Sequence, residues 1–207
     1  LINGSSVKIK SSTDAILHGI GMVHQHFMLV PNFTVLENVI LGSEDGGLLK
    51  NSEEKFLKLL EDLGTEYGLT VDPHALIEDL PVGIRQKVEI IKAIKSGADI
   101  LILDEPTGVL TPSEAESLFA ILKVLKERGV TVLLITHKLE EIMAITDTVS
   151  IIRGGKTVGH RKTSETNTGE LAELMVGRKV LLRVERTEAE PGDIYLSANA
   201  LNCTSKA

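Results

Sequence analysis

Two adjacent carboxylates carry the sharpest chemical signal in this chain. Asp104 and Glu105 follow the apolar run Ile100 to Leu103 and precede Pro106-Thr107. A strand that ends in two acids presents them at the edge where open α/β sheets bind ligands. In a nucleotide hydrolase the first acid holds Mg²⁺, usually through water, and the second orients the attacking water. A plainer reading, a strand ending in a solvated acidic turn, would suffice for Asp-Glu alone. The apolar run before it and Pro-Thr after it favour chemistry. Thr136-His137 closes the next apolar run, Val130 to Ile135, which puts His137 on the same edge. An imidazole there can donate to a terminal phosphate, and it can equally be a satisfied strand-end histidine. Gln25 follows an earlier run, Gly19 to Val23. Its amide suits Mg²⁺ or the lytic water, or simply a polar turn.

Other patterns are weaker. His24-x-His26 offers two metal ligands without Cys or carboxylate partners,. Gly19-x-Gly21 lacks the third glycine of a dinucleotide fingerprint, since His24 stands there,. Gly155-Lys156-Thr157 has Ser150 where a phosphate loop, Gly-x-x-x-x-Gly-Lys-Ser/Thr, needs glycine. A hairpin pattern rather than a helix follows it, so no helix N-terminus is available for phosphate. Cys203 lies in the tail without a nearby base. The pairs Glu61-Asp62 and Glu140-Glu141 read as solvated helix faces.

The elements that must position these residues are legible in the periodicity. Val7 to Ile9, Gly19 to Val23 and Asp99 to Leu103 read as strands, the last covered on both faces. Val130 to Ile135 and Thr148 to Ile152 follow as further strands. Gly154-Gly155 then turns the chain into a hairpin through Thr157 to His160. Helical patterns cover Thr34 to Leu41, Glu53 to Leu63, a short piece after Asp72-Pro73, Gly83 to Lys95, and Lys138 to Ile145. Glu44 to Ser52 reads as a loop, and Gly64 and Gly68 end the helix before them. Thr111 and Glu114 form a capping box around Pro112 for a helix ending at Gly129, and Asn167 and Glu170 form another for a helix ending at Gly177. Arg183 to Asp193 reads as a linker, and Ile194 to Leu201 as a new strand. The strand–helix alternation from Asp99 to Ile152 predicts a parallel α/β sheet. The helices between Thr34 and Lys95 form a lobe inserted before it.

Composition bounds the function. The chain has 207 residues, room for one large domain,. Its net charge of −7 argues against a general nucleic-acid binder, which needs Lys and Arg in excess,. Aromatic residues make up 3% with no Trp, so base-stacking platforms are not expected,. A single cysteine excludes an intrachain disulfide and fits a reducing compartment,. No apolar run approaches the roughly 18 residues of a membrane span, and the start at Leu1 reads as the interior of something longer.

Taken in order, the motifs resemble those of ABC-transporter ATPases. Gly21-Met22-Val23-His24-Gln25-His26-Phe27 with Thr34-Val35-Leu36-Glu37-Asn38-Val39 is similar to the family's Q-loop region. Leu80-Pro81-Val82-Gly83-Ile84 stands where the family has its Leu-Ser-Gly-Gly-Gln signature. Leu103 to Thr107 resembles the Walker B motif, Gly108 to Thr111 with Leu110 the D-loop, and His137 the switch histidine. The resemblance covers Leu1 to about Gly177. Gly-Met-Val-His-Gln-His-Phe and Val-Leu-Thr-Pro look most like bacterial ATPases that energise uptake of simple sugars and nucleosides, usually two ATPase halves in one chain.

The resemblance implies an α/β fold of the P-loop NTPase type. Residues 1–27 and 98–178 would form a RecA-like core lacking its phosphate-loop segment, 28–97 a helical subdomain, and 179–207 a linker with the first strand of a second half. It implies ATP and Mg²⁺ as ligands. Glu105, His137 and Gln25 would be catalytic, and Asp104 and Gln25 would hold Mg²⁺ through water. Pro81, Val82, Gly83 and Leu110 would face the ATP of the partner half. It further implies transmembrane permease partners docked on Gln25 to Asn38, a solute-binding protein acting indirectly, and a peripheral place on the cytoplasmic face of the plasma membrane. No nucleic acid is implied.

Two departures qualify this expectation. The phosphate loop is missing, so the 207 residues alone are expected not to hydrolyse ATP. Pro81 replaces the signature Ser and offers neither hydroxyl nor N–H, Val82 replaces a glycine and Ile84 the Gln, while Gly83 alone keeps its freedom for close approach. The parent is therefore expected to have two unequal ATP sites. Alternative readings are a regulatory half with little turnover and a soluble ABC ATPase outside transport. The charge and the absence of sustained heptads oppose the latter.

Overall fold

The computed structural model describes residues 1–42 and 49–178, together with 197, 199 and 200. Three parallel strands, β1 (Ile20–Val23), β2 (Ile100–Asp104) and β3 (Thr131–Ile135), lie in the order β1-β2-β3. Gly21 is level with Leu101 and Val132, and Val23 with Leu103 and Leu134. All three strands therefore end at one edge, where Gln25, Asp104, Glu105 and His137 follow.

Side chains alternate across the pleat, so the register sorts them into two faces. Val23, Leu101 and Leu103 are buried together. Met22, Leu133 and Ile135 on the other face remain 39%, 49% and 45% exposed. The expectation that β2 is covered on both faces is thus corrected for the described residues: its burial alternates, with Ile100 and Ile102 only half-buried.

Helices fill the closed face. α4 (Val82–Lys95) buries Val88, Ile90 and Ile91, and α5 (Pro112–Glu127) buries Leu118, Ile121, Leu122 and Leu125. The same hydrophobic cluster continues into α2 (Val35–Ile40) and α3 (Leu49–Tyr67) through Val35, Leu36, Val39, Phe56, Leu60 and Leu63. One core thus joins the sheet to the helical lobe. Gly21 marks its tightest seam: a Cβ there would lie 2.9 Å from the Cβ atoms of both Ala93 and Ala98.

Caps fix where the helices start. Thr111 and Glu114 make the reciprocal box expected of them, with Pro112 at the first turn, and Thr34 and Glu37 make a second,. Asn167 caps α7 (Thr168–Val176), but the Glu170 carboxylate turns to Arg161 and Thr166 instead of completing a box.

Other expectations are revised. Val7 to Ile9 is not a strand, and the unforeseen short helix α1 (Ser12–Leu17) precedes β1. α3 begins at Leu49, inside the expected loop, and runs through Gly64 to end before Gly68, which has φ +71°. A helix loses only about 1 kcal/mol at an interior glycine, and Leu60 and Leu63 bury beside it. β4 (Thr148–Arg153) does not join the parallel sheet. It pairs antiparallel with β5 (Lys156–Lys162) through the Gly154-Gly155 turn. α6 (Leu139–Ile145) and α7 pack on this hairpin around Ile142, Ile151 and Leu171, a second small core. The expected linker, like Glu44 to 48 and Cys203, lies outside the described residues; of the strand expected beyond it, only Ser197, Asn199 and Ala200 are described, and none of the three is in a strand.

Candidate functional site

The site starts from β2. Its last residue, Asp104, is still paired in the ladder with Ile135. Glu105 then leaves the strand with φ +45°, a left-handed conformation that costs a non-glycine residue about 1–2 kcal/mol,. Its N–H is held by the carbonyl of Ile135 at 2.8 Å. The sharp turn aims the carboxylate along the strand-end edge.

There it meets both other residues expected at that edge. His137 Nδ1 lies 3.0 Å from Glu105 Oε1, and Gln25 Nε2 donates to Glu105 Oε2 at 3.4 Å. An ionised carboxylate only accepts. The His137 contact therefore puts the ring proton on Nδ1 and leaves Nε2 facing away from Glu105. The structure thus gathers Gln25, Glu105 and His137 into one cluster drawn from three strand ends. Both oxygens of Glu105 are engaged by its neighbours.

Asp104 and Gln25 supply oxygen donors at the same edge. Among the described residues no three or more His, Cys, Asp or Glu converge as a metal cage. This donor set fits Mg²⁺, which takes one or two carboxylates and completes its shell with water and phosphate.

The signature-like segment sits at the start of α4. Pro81 is its N-cap and provides no side-chain cap. The Arg85 guanidinium ties the turn before it by donating to the carbonyls of Leu80 and Glu78 at 2.8 and 2.7 Å. Gly83 N–H donates to Glu114 Oε1 at 3.2 Å. A Cβ at Gly83 would lie 2.8 Å from that oxygen. The close approach that glycine permits here is therefore made by Glu114 of the same chain. Glu114 Oε2 meanwhile accepts from the N–H and hydroxyl of Thr111. These bonds from Thr111, then that from Gly83, hold its carboxyl below the ordinary glutamate range. Leu110 shares a cavity of about 130 Å³ with Gly83, Ile84, Gln86 and Glu114. Gln86, itself buried, donates from Nε2 to the carbonyl of Pro106 at 2.8 Å. α4 is thereby tied to the loop that carries Glu105.

The segment leaving Gln25 is pinned twice. Glu89 of α4 accepts from Met28 N–H at 2.8 Å, while Lys92 donates to the Met28 carbonyl at 3.0 Å. Asn38, 0% exposed, accepts from Val30 N–H and donates to the carbonyls of Val30 and Thr34. Leu29 packs on the core, whereas Met28 is 62% exposed.

Sequence reasoning misplaced one acid. Glu141, expected on a solvated face with Glu140, is only 8% exposed. It lies among Thr107, Thr136 and Lys138. No local pattern announces this, because Thr107 is 34 residues away.

A three-stranded parallel sheet with a carboxylate, an imidazole and an amide gathered at its carboxyl edge is the core of an α/β nucleotide-binding fold. Residues 1–108 match the family model described as "ABC transporter", and the chain belongs to that family. It is 48% identical over 205 residues to the nucleoside import ATP-binding protein NupA of Lactococcus lactis, covering 97% of this chain and 40% of that protein. It is 42% identical over 231 residues to the glucose import ATP-binding protein TsgD13 of Haloferax volcanii, covering 98% and 42%. The chain thus spans about two fifths of the length of these relatives. The fold matches an ATP-binding cassette of an ABC transporter solved in its ADP conformation. The TM-score is 0.65 at 24% identity over 82% of this chain and 72% of the other. As members of a family of ATP-binding cassettes, such domains bind ATP. Among the described residues no helix is long and apolar enough to cross a membrane.

Proposed function

We propose that this chain is part of the ATP-hydrolysing subunit of an importer for a small solute of the sugar or nucleoside class. The observation that carries the reading is the Gln25–Glu105–His137 cluster at the ends of parallel strands. Relatives named for nucleoside and glucose import support the solute class.

In this reading Glu105 orients the attacking water and takes its proton. His137 and Gln25 each take one acceptor site on the two carboxylate oxygens, which leaves a site on each for the water. His137 supplies the exchangeable contact: swinging from Glu105 to the terminal phosphate frees Oε1 as substrate arrives. Gln25 reports the same event to the segment pinned at Met28 and Val30. Mg²⁺, when bound, would neutralise charge developing on the phosphates, with Asp104 and Gln25 its holders through water. Pro81, Val82, Gly83 and Leu110 are the surface offered to the nucleotide of a second ATPase half.

The permease partners would dock on Gln25 to Asn38, where exposed Met28 is the protruding apolar side chain. The solute-binding protein acts through the permease, on the cytoplasmic side of which the subunit would sit. Residues 28–97 are the lever between that surface and the core formed by 1–27 and 98–178. No phosphate-loop motif occurs in the 207 residues, so by themselves they bind MgATP weakly. Calorimetry giving micromolar affinity for this chain would refute that.

The test is Glu105→Gln in the full-length protein. Turnover is expected to fall by about 10²–10⁴-fold, the contribution of a general base, with ATP binding retained. Undiminished turnover would favour a regulatory half instead, a reading that the uncapped Pro81 end of α4 supports.

A further inference from the structure

We infer that Glu141 is a positioning residue for the Glu105–His137 pair. This rests on the hydrolytic reading of that pair and adds a residue to its machinery. The observation is a polar knot around the buried Thr107 and Glu141 that bridges the two catalytic loops. Glu141 Oε1 accepts from the Thr107 hydroxyl and pairs with Lys138 Nζ at 3.3 Å. Glu141 Oε2 accepts from the Thr136 hydroxyl at 3.2 Å. Lys138 Nζ also donates to the carbonyl and hydroxyl oxygens of Thr107, at 2.9 and 3.0 Å. Lys138 N–H donates to Thr136 Oγ1 at 3.1 Å.

The geometry is a clamp. Thr107 lies two residues beyond Glu105, and Thr136 and Lys138 flank His137 on both sides. One carboxylate, carried by the first turn of α6, thus holds both loops at once without touching either reacting group. Thr107 is 2% exposed. Polar groups taken out of water are costly unless paired, so the buried Thr107 and Glu141 are held to this arrangement, which Lys138 joins from the surface. That arrangement resists two movements. The strained backbone at Glu105 is held in its left-handed turn, and His137 can swing only by its side chain, since its backbone neighbours are tied. Removing the Glu141 charge leaves Lys138 short of its counter-charge and frees Thr107 and Thr136 to find other partners. The two loops then drift independently.

The test uses Glu141→Gln, with Thr107→Val as a second, near-isosteric variant that removes one hydroxyl. In the full-length protein, Glu141→Gln is expected to lower kcat by about 10²-fold, the scale of a one-ångström misplacement, with the KM for ATP within about twofold. Amide hydrogen exchange on this chain supplies a readout that needs no turnover. Exchange at Gly108 and Lys138 is expected to quicken by about tenfold or more, with α4 amides unchanged. Unchanged kcat beside an inactive Glu105→Gln control overturns the inference, and so does quickened exchange spread evenly over the domain. Where Glu105→Gln itself leaves turnover intact, the hydrolytic reading is what fails. Exchange then decides the clamp alone: a local gain supports it and unchanged rates overturn it.

Discussion

Gly21→Ala tests the seam on which the site's geometry depends. Gly21 lies in the middle of β1, level with Leu101, and faces α4. A methyl there would meet two carbons at 2.9 Å, the Cβ atoms of Ala93 and Ala98. Neither can rotate away, because a Cβ is fixed by its own backbone. Separation to ordinary contact, about 3.5–4 Å, requires β1 to part from α4 and from the Ala98 turn after it by about 0.6–1.1 Å. Forcing a methyl into a closed core costs about 1–3 kcal/mol. A domain of this size loses about 2–4 °C per kcal/mol, so the melting temperature should fall by about 2–12 °C.

The displacement has a second readout, since Gln25 hangs from the end of β1. Its bond to Glu105 is already 3.4 Å long, so a small shift of β1 away from α4 breaks it. Thermal unfolding followed by circular dichroism measures the first effect. Adding Ala98→Gly should recover only part of the loss, because the Ala93 contact persists. Adding Ala93→Gly removes the other contact but places a glycine inside α4, at about 1 kcal/mol. A Gly21→Ala chain melting within one degree of the parent would refute the close-packing argument.

Three further outcomes are expected. Asn38→Ala strands the Val30 N–H, while the carbonyls of Val30 and Thr34 lose the side-chain amide but keep the backbone N–H groups of Phe33 and residue 38. At about 1–3 kcal/mol for a stranded group, denaturant titration should show a loss of at least that size. Proteolysis should then open between Met28 and Phe33 first. Glu114 has a folded carboxyl below the ordinary glutamate range. The folded state therefore binds fewer protons than the unfolded one within the ordinary glutamate range,. Its stabilisation is full above the unfolded value and is lost as pH falls through the folded one. Glu114→Gln should flatten that acid limb in melts taken from pH 6 to 3, and an unchanged slope would remove Glu114 from the account. Pro81→Ser gives α4 the side-chain cap it lacks, worth about 0.5–2 kcal/mol. It should raise the melting temperature of this chain and, in the full-length protein, raise ATP turnover. A stabilised protein with unaltered turnover would reject the idea of two unequal sites.

The strand-end motifs were readable because their periodicity is local. An apolar run of four followed by Asp104-Glu105 marks both the strand and its exit, and the same holds for His137. The capping box at Thr111 is local too. What stayed hidden depends on distance in sequence. Whether Thr148 to Ile152 extends the parallel sheet or folds back is decided by the Gly154-Gly155 turn. There the antiparallel partner β5 lies two residues away. Glu141 looked like half of an acidic pair on a helix surface. Its burial comes from Thr107, brought close only when β2 and β3 lie side by side. Gly83 was legible as a position of close approach, but the approaching group, Glu114, stands 31 residues on.

These hidden contacts share a logic that bears on function. Each ties a loop at the carboxyl edge to an element behind it. Gln86 holds the Pro106 carbonyl, Glu114 holds the Gly83 amide, and Glu141 holds Thr107 and Thr136. The ties leave Gln25, Glu105 and His137 joined to one another only by their side chains. Side-chain contacts of this exposure are worth about 0–1 kcal/mol, whereas the buried bonds of Gln86 and Thr107 behind them cost more to break,. A nucleotide arriving at this edge would therefore exchange the weak contacts and leave the strong ones in place. The tips of the site would move while its frame stayed fixed. The movement would pass out through Gln25 into the segment that α4 grips at Met28.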